Sequence, residues 1–246
     1  LTLTVDAAGA ATFDLSNFAN LTEVISNADN TNLAVTQLDG SSALNVSLTV
    51  DTGNVTVTSF DSTTTGTLTL VASDGDVVLN DGSVATGSGN VLVSASGTIT
   101  EGSTNTTTDV TTSGTLTLDA GTGIGTSGAN EAIDTNVGTL AARTTTSGGI
   151  FLSETDGLTI GSGSGFNGVS AASNGDVVIA SGSGTFQIDQ NISAGSGAIT
   201  LTGATFDINA DITGGSGSLT GTGTLDIEAG SQVIASQAGG ITVQAA

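Results

Sequence analysis

The sequence predicts an all-β protein: a parallel β-solenoid (β-helix) of about eleven coils of 20–24 residues, forming a single domain over residues 1–246. Three observations predict this fold. Short segments alternate apolar and polar residues, inward-type apolar positions recur every 22–24 residues, and Gly, Ser, Asn and Asp fill the intervening segments. A coil of two or three short strands takes about 20–24 residues, so the chain length suits about eleven coils.

The commonest pattern along the chain is alternation with a period of two. It places apolar side chains on one face of a strand and Thr or Ser on the other, as in a half-buried strand. Turn-forming residues separate the alternating segments. The predicted strands are, in order, residues 1–5, 44–50, 55–57, 67–70, 115–118, 149–152, 176–179, 198–201, 224–227 and 240–243.

The spacing of inward positions carries more information than the strands themselves. We expect the following residues to face the core: Leu70, Val93, Leu116 and Leu140, with steps of 23, 23 and 24, then Ile179 with Leu201 and Leu219 with Ile241, each with a step of 22. The steps are irregular between residues 140 and 179. We therefore expect irregular loops within residues 100–175, and a subdivision near residues 60–75 stays open.

A β-sandwich is the competing fold, because it also joins many short alternating strands through turns. Sandwich connections usually contain some Pro, and sandwich cores contain aromatic anchors. This chain has no Pro and only 7 aromatic residues, all Phe. Small inward residues suit a narrow solenoid better.

One stretch has helical spacing. Phe18, Leu21, Val24, Ile25 and Ala28 follow one another at intervals of 3, 3, 1 and 3 residues. The alternative is a solenoid coil whose corner happens to match this spacing. We favour the coil.

The composition excludes most catalytic chemistry. The chain has no His, no Cys and a single basic residue, Arg143. Imidazole bases, thiolate nucleophiles, Schiff-base lysines and nitrogen- or sulfur-ligated metals therefore cannot come from this chain. Carboxylate pairs such as Glu154 with Asp156 remain, but a glycosidase also needs an aromatic sugar-binding surface, and Trp and Tyr are absent. We expect no enzyme activity.

The charge excludes two classes of partner. The formal net charge is −22, with 23 acidic residues against one basic residue. Nucleic-acid phosphates and anionic lipids are bound through clusters of Lys and Arg, which this chain lacks. No apolar run reaches the roughly 18 residues that a membrane-spanning helix needs. We expect neither nucleic-acid binding nor membrane insertion.

Two segments resemble known repeats. Residues 12–38 contain Ala-Thr-Phe-Asp-Leu-Ser-Asn-Phe-Ala-Asn-Leu-Thr-Glu-Val, followed by Asn-Leu-Ala-Val-Thr, and are similar to repeats of large secreted bacterial β-solenoid proteins, including some surface-layer proteins. Residues 113–161 contain Gly-Thr-Leu-Thr-Leu, Gly-Thr-Gly-Ile-Gly, Asn-Val-Gly-Thr-Leu and Gly-Ile-Phe, and resemble repeats of filamentous-haemagglutinin-like exoproteins.

These two segments cover about a third of the chain. The resemblance implies a rod outside the cell or on the bacterial cell surface, used in adhesion or in building a matrix or coat. It carries no catalytic residue onto this sequence.

Calcium is the one cofactor that the composition favours, since Asp and Asn oxygens in loops are ligands for hard cations. Asp74 and Asp76 flank Gly75 in a predicted turn, and Asp81 follows within reach of a neighbouring corner. We name Asp74, Asp76 and Asp81 as candidate calcium ligands. The alternative is that these residues form turns and carry solvated charge, in which case the protein requires no cofactor.

The first and last predicted strands are uncharged. Leu1, Leu3 and Val5 mark one edge of the solenoid, and Ile241 and Val243 mark the other. An uncapped edge can pair with a further strand. We expect the chain to be a segment of a longer rod or a protomer that stacks on other copies of itself.

These observations predict an extracellular structural protein that forms or extends a bacterial surface fibre, coat or adhesin rod by end-to-end stacking of coils. An alternative from a different functional class is an adhesin module that uses loops off the solenoid to bind surface glycans or a receptor.

Overall fold

Alternating segments fold into short strands that stack in parallel from one coil to the next. The computed structural model describes residues 2–5, 9–14, 22–27, 32–40, 45–62, 66–128, 130–235 and 241–245. Within these residues the chain is an all-β solenoid of parallel strands. The predicted fold class is therefore confirmed, and the antiparallel pairing of a β-sandwich is excluded.

The strands are short and evenly distributed. The first group is β1 (Thr2–Val5), β2 (Gly9–Asp14), β3 (Thr22–Asn27), β4 (Leu33–Gly40), β5 (Asn45–Val50), β6 (Val55–Val57), β7 (Phe60–Ser62), β8 (Leu68–Ala72) and β9 (Val77–Leu79). The second is β10 (Val84–Thr86), β11 (Val91–Ala95), β12 (Thr98–Glu101), β13 (Val110–Ala120), β14 (Gly123–Ile124), β15 (Ile133–Thr144), β16 (Ile150–Glu154), β17 (Leu158–Ile160) and β18 (Val169–Ser170). The third is β19 (Val177–Ser181), β20 (Thr185–Ile188), β21 (Ile192–Ser193), β22 (Ala198–Gly203), β23 (Thr205–Ile208), β24 (Ile212–Gly214), β25 (Ser216–Gly221), β26 (Leu225–Ile227), β27 (Val233–Ala235) and β28 (Ile241–Ala245).

Three ladders of stacked strands form the walls. Ladder A contains β1, β3, β5, β8, β11 and the C-terminal halves of β13 and β15. Ladder B contains β2, β4, β6, β9, β12, β14, β16, β19, β22, β25 and β28. Ladder C contains the C-terminal half of β4, then β7, β10 and the N-terminal halves of β13 and β15.

Beyond β15, ladder A divides. The C-terminal half of β15 pairs with both β17 and β18, because residues 161–168 between these two strands loop out of the wall. Two narrower ladders continue from this point, β17 with β20, β23 and β26, and β18 with β21, β24 and β27. The other long connections of this region are residues 102–109 and 125–132.

The solenoid has about eight turns rather than the expected eleven coils. The central turns are longer than the 22-residue spacing: Ile99 to Ile124 is 25 residues, Ile124 to Ile150 is 26, and Ile150 to Val177 is 27.

The core consists of columns of apolar side chains that run along each ladder. In ladder B a column of β-branched residues stacks in register with at most 1% exposure: Val55, Val77, Ile99, Ile124, Ile150, Val177 and Ile199. The predicted inward residues Leu70, Val93, Leu116, Leu140, Ile179, Leu201 and Leu219 are all buried. Stacking like on like fills a narrow interior without large aromatic residues.

The segment with helical spacing is extended where the structure describes it. Val24 and Ile25 lie in β3, while Phe18, Leu21 and Ala28 lie outside the described residues. The one helical element in the described part is a 3₁₀ turn, Ala172–Asn174. No described helix has the length and apolarity that crossing a membrane requires.

Asn and Asp side chains cap the turn between ladders A and B in successive coils. Oδ1 of Asn32 accepts the N–H of Asn54 at 2.9 Å, and Oδ1 of Asn54 accepts the N–H of Asp76 at 2.8 Å. Oδ1 of Asp76 in turn accepts the N–H of Thr98 at 2.7 Å. Each side chain thus supplies a bond to a backbone donor of the next coil where the strand ladder is interrupted.

Glycine is required where stacked turns touch. A Cβ atom on Gly75 would overlap the backbone carbonyl of Gly53, and one on Gly97 would overlap the carboxylate of Asp76. Adjacent coils approach closely at this corner, so only hydrogen fits there. This packing accounts for glycine at the corner, in a chain with 37 of them.

Candidate functional site

The structure places the three predicted calcium ligands in two different turns. Asp76 lies in the turn before β9, where its Oδ1 accepts both the N–H and the hydroxyl of Thr98, at 2.7 and 2.9 Å. Asp74 lies in the same turn and is exposed. Asp81 lies in the next turn, between β9 and β10, and belongs to a carboxylate cluster that contains neither Asp74 nor Asp76.

Asp81, Glu101 and Asp109 form this carboxylate cluster. One carboxylate oxygen of each residue lies within 4.8 Å of the other two. Parallel stacking brings them together: Glu101 ends β12 and pairs with Leu79 at the end of β9. Asp109 directly precedes β13, and its carbonyl oxygen accepts the N–H of Val84 in β10 at 2.9 Å. The cluster therefore joins two successive coils.

Asp81 organises the loop of residues 102–109. Its Oδ1 accepts the hydroxyl of Ser103, and its Oδ2 accepts Nδ2 of Asn105 at 2.7 Å. The backbone N–H of Asn105 donates to Oε1 of Glu101 at 3.4 Å. The hydrogen bonds from Ser103 and Asn105 lower the pKa of Asp81 below its ordinary value. Asp81 is therefore ionised at neutral pH.

Asp109 is the buried member of the cluster. Its exposure is 0%. Oδ2 accepts the N–H of Asp134 at 3.0 Å, whereas Oδ1 has no hydrogen-bond partner among the described residues. Burial raises the pKa of Asp109 to about 8, and the charges of Glu101 and Asp134 add to the rise. The ionised form of Asp109 thus carries an uncompensated desolvation cost in this position.

Glu101 connects the cluster to a surface pocket. This pocket has a volume of about 260 Å³, and Ser103, Thr126 and Glu131 also line it. Oε2 of Glu101 is buried and has no partner in the described part of the chain. Burial raises the pKa of Glu101. The pocket brings solvent next to this residue.

The side chains of this protein supply no counter-charge to the cluster. Arg143 is the only Lys or Arg in the sequence, and there is no His. Its Nε and Nη2 donate to Oδ1 and Oδ2 of Asp119 at 2.9 and 2.8 Å. Neutralisation of the cluster therefore requires protons or a cation from solution.

Glu154 is a second buried carboxylate, and its surroundings differ. Its exposure is 3%. Oε2 accepts the hydroxyl of Thr135 at 2.7 Å and the N–H of Val137 at 3.1 Å, and Oε1 accepts the N–H of Thr155 at 3.1 Å. Burial raises the pKa of Glu154 despite these donors. Both oxygens are occupied by the protein, so this carboxylate joins strands rather than offering a binding site.

A polar groove lies between ladder A and the looped residues 161–168. Its volume is about 280 Å³. The N–H of Ser164 donates to Oγ1 of Thr117 at 3.0 Å, which fixes the loop over the strands. The polar residues along the groove are Thr67, Thr69, Asn90, Thr115, Thr117, Ser162 and Ser164. Hydroxyl and amide groups of this kind are suited to hydrogen bonding with a polyhydroxylated ligand.

The predicted assembly edges lie in the terminal strands. Leu3 and Val5 belong to β1, which pairs with β3, and Ile241 and Val243 belong to β28, which pairs with β25. Leu1 lies outside the described residues.

Sequence reasoning names Asp81 but misses its two partners. The coil spacing contains a signal for Glu101, which follows Leu79 by 22 residues and pairs with it. No comparable signal marks Asp109, because it closes the irregular loop 102–109. Its position in the coil follows only from the stacking of β13 on β10.

No protein-family model, curated protein or solved structure matches this chain. The resemblance of residues 12–38 and 113–161 to secreted bacterial solenoid repeats stays a prediction.

Proposed function

We propose that the chain is an extracellular structural protein that forms or extends a rod on a bacterial surface, within a fibre, coat or adhesin. The observation that carries this proposal is the continuous parallel ladder B, from β2 to β28. Backbone hydrogen bonds between coils run along the rod and resist bending and extension. The mechanism is mechanical, and it does not depend on Lys, His or Cys side chains, which the chain lacks.

End-to-end stacking uses the outer edges of β1 and β28. Among the described strands, β1 pairs with β3 alone and β28 pairs with β25 alone. Thr2–Val5 and Ile241–Ala245 contain no charged residue and no Pro, which are the features that natural proteins use to block edge pairing. Each edge can therefore accept a further strand from another coil.

The net charge controls this stacking. Copies that each carry −22 repel one another, and salt or divalent cations weaken the repulsion. We expect filaments at physiological ionic strength or with added calcium, and dispersed protein in a low-salt buffer that contains chelator.

Electron microscopy and sedimentation of the purified chain test this function. The edge variants are Thr4→Lys in β1 and Thr242→Lys in β28, because lysine on an edge strand opposes strand addition. The matched control is Thr202→Lys, which makes the same change in charge at an exposed position between the two ends of the rod. We expect filaments from the native chain and the control and none from the edge variants. A monomer at high concentration in salt and calcium would contradict the proposal.

The groove over ladder A favours a second candidate function, a module that binds surface glycans. Its residues present hydroxyl groups from two strands and from the loop 161–168. The arrangement has no Trp or Tyr to stack on a sugar ring, since the chain contains neither. Binding would therefore rest on hydrogen bonds and be weak for a single site.

A glycan array with the monomeric chain distinguishes the two functions. Thr115→Arg fills the groove, and Thr202→Arg is the matched control outside it. Glycan binding that Thr115→Arg abolishes and Thr202→Arg retains would support the binding module. Binding that neither variant changes would exclude this groove.

A further inference from the structure

We propose that Asp81, Glu101 and Asp109 bind one calcium ion that joins two successive coils. This inference concerns a single chain and does not depend on the assembly proposed above. One ligand of this metal site, Asp81, is among the three named from the sequence. The other two, Glu101 and Asp109, are brought to it by the stacking of coils.

The distances within the cluster fit this ion. Calcium binds oxygen at about 2.3–2.6 Å, so two oxygens on opposite sides of one ion lie about 4.6–5.2 Å apart. One oxygen from each carboxylate already lies within 4.8 Å of the others. A single ion can therefore reach all three with small adjustments of the side chains.

Two buried oxygens provide an independent indication of a ligand. Oδ1 of Asp109 and Oε2 of Glu101 are the buried side-chain oxygens without a hydrogen-bond partner among the described residues, and both residues belong to this cluster. Asp109 has no exposed surface. Buried acceptors without donors are rare and costly, and coordination to a cation satisfies them.

Charge favours a divalent cation. Three carboxylates lie in close contact, and Glu131 and Asp134 add negative charge from neighbouring segments. A divalent ion compensates two charges at once, and no basic side chain of the chain does so.

The remaining coordination positions can be filled by water. Calcium takes six to eight oxygen ligands, and three carboxylates supply at most about six. The pocket beside Glu101, with a volume of about 260 Å³, admits water and gives the ion an entry path. The ion would then fix the base of loop 102–109 to the turn that contains Asp81.

Calorimetry and thermal unfolding of the monomeric chain test the site. The protein is titrated with calcium chloride, and separately with magnesium chloride, after removal of metal with chelator. The variants are Asp109→Asn and Glu101→Gln, which keep the side-chain size and remove one charge. The matched control is Asp74→Asn, an exposed aspartate outside the cluster.

We expect calcium at about 1 mM to raise the melting temperature of the native chain, and magnesium to raise it less. Asp109→Asn and Glu101→Gln should each weaken calcium binding at least about tenfold, and Asp74→Asn should bind as the native chain does. In chelator, Asp109→Asn should melt above the native chain, because it removes the cost of burying a carboxyl group whose Oδ1 has no donor. If Asp109→Asn does not fold, Glu101→Gln gives the same comparison.

Three results would overturn the proposal. One is a native melting temperature that calcium does not change. Another is an equal loss of binding in Asp74→Asn and in the cluster variants. The third is an equal response to magnesium, which would contradict calcium as the ion. Calcium binding without filaments would leave this site intact and would contradict only the proposed assembly.

Discussion

Arg143 and Asp119 lie directly opposite one another on adjacent strands of ladder A, and two hydrogen bonds join their side chains. The guanidinium also lies over the ring of Phe166, with 4.4 Å between Cζ and the ring centre. Phe166 belongs to the looped residues 161–168. The only basic side chain of the protein thus connects three successive levels of the solenoid, through a charge pair and a cation–π contact.

Substitution of Arg143 should loosen that loop more than it destabilises the rod. Arg143→Lys keeps the charge but loses the two-point hydrogen bond, and Arg143→Gln loses both. Because the side chain of Arg143 is 37% exposed, we expect a loss of no more than about 1 kcal/mol in unfolding free energy. Hydrogen exchange of the Ser164 amide should speed up in both variants. Unchanged exchange would contradict the connecting role.

Asp76 should behave as a turn cap. Asp76→Asn keeps an oxygen for the N–H of Thr98, so it should change the unfolding free energy by less than about 0.5 kcal/mol. Asp76→Ala leaves that part-buried donor without its partner and should cost about 1–2 kcal/mol. Chemical denaturation compares the two. An equal loss in both variants would indicate that the charge of Asp76, and not its hydrogen bond, stabilises the turn.

The pair Phe186 and Phe206 should be the most sensitive point of the C-terminal half. The two rings stack on paired strands with 5.4 Å between their centres, and both side chains are buried. Phe206→Ala should lower the unfolding free energy by about 3–5 kcal/mol through loss of buried contacts and a cavity. Ile227→Ala is the control, since Ile227 is 44% exposed and should cost less than about 1 kcal/mol. Similar losses would contradict this packing.

Glu154 should make stability fall as pH rises. Burial raises the pKa of Glu154 above its ordinary value of 4.5, so the folded state keeps a proton that the unfolded state has released. Its contribution is complete below pH 4.5 and is lost as pH rises through the folded pKa. Denaturation of the native chain and Glu154→Gln from about pH 4 to 8 should show the variant gaining relative stability with pH. A constant difference would contradict the raised pKa.

Alternation predicts the inward face of a strand better than it predicts which residues pair. The 23-residue step makes Leu116 the expected partner of Val93, but the structure pairs it with Val91. A shift of two residues keeps the same face toward the core, so Leu116 is buried as expected. The shift arises because loop 102–109 lengthens that coil. The composition of a turn does not show where a loop begins and ends, so the shift does not follow from the sequence.

For the candidate site, composition identifies the residue type but not the partners. Asp76 follows a strand of ladder A, and Asp81 follows a strand of ladder B. Both lie in turns rich in Gly and Asp. What separates them is the group one coil away: Asp76 meets a backbone N–H at Thr98, whereas Asp81 meets other carboxylates. That difference depends on the length of the intervening turns, so it can be identified only from the three-dimensional stacking of the coils.

The position of Arg143 within β15 determines how a protease can cut the rod. An enzyme specific for Lys and Arg has a single target in the chain, the bond between Arg143 and Thr144. That bond lies in a strand paired with β13 on one side and with β18 on the other. Proteases cut segments that have left such pairing, so cleavage requires the central coils to open. Two tryptic fragments would therefore report unfolding of the middle of the rod, and fraying at its ends would leave the chain whole.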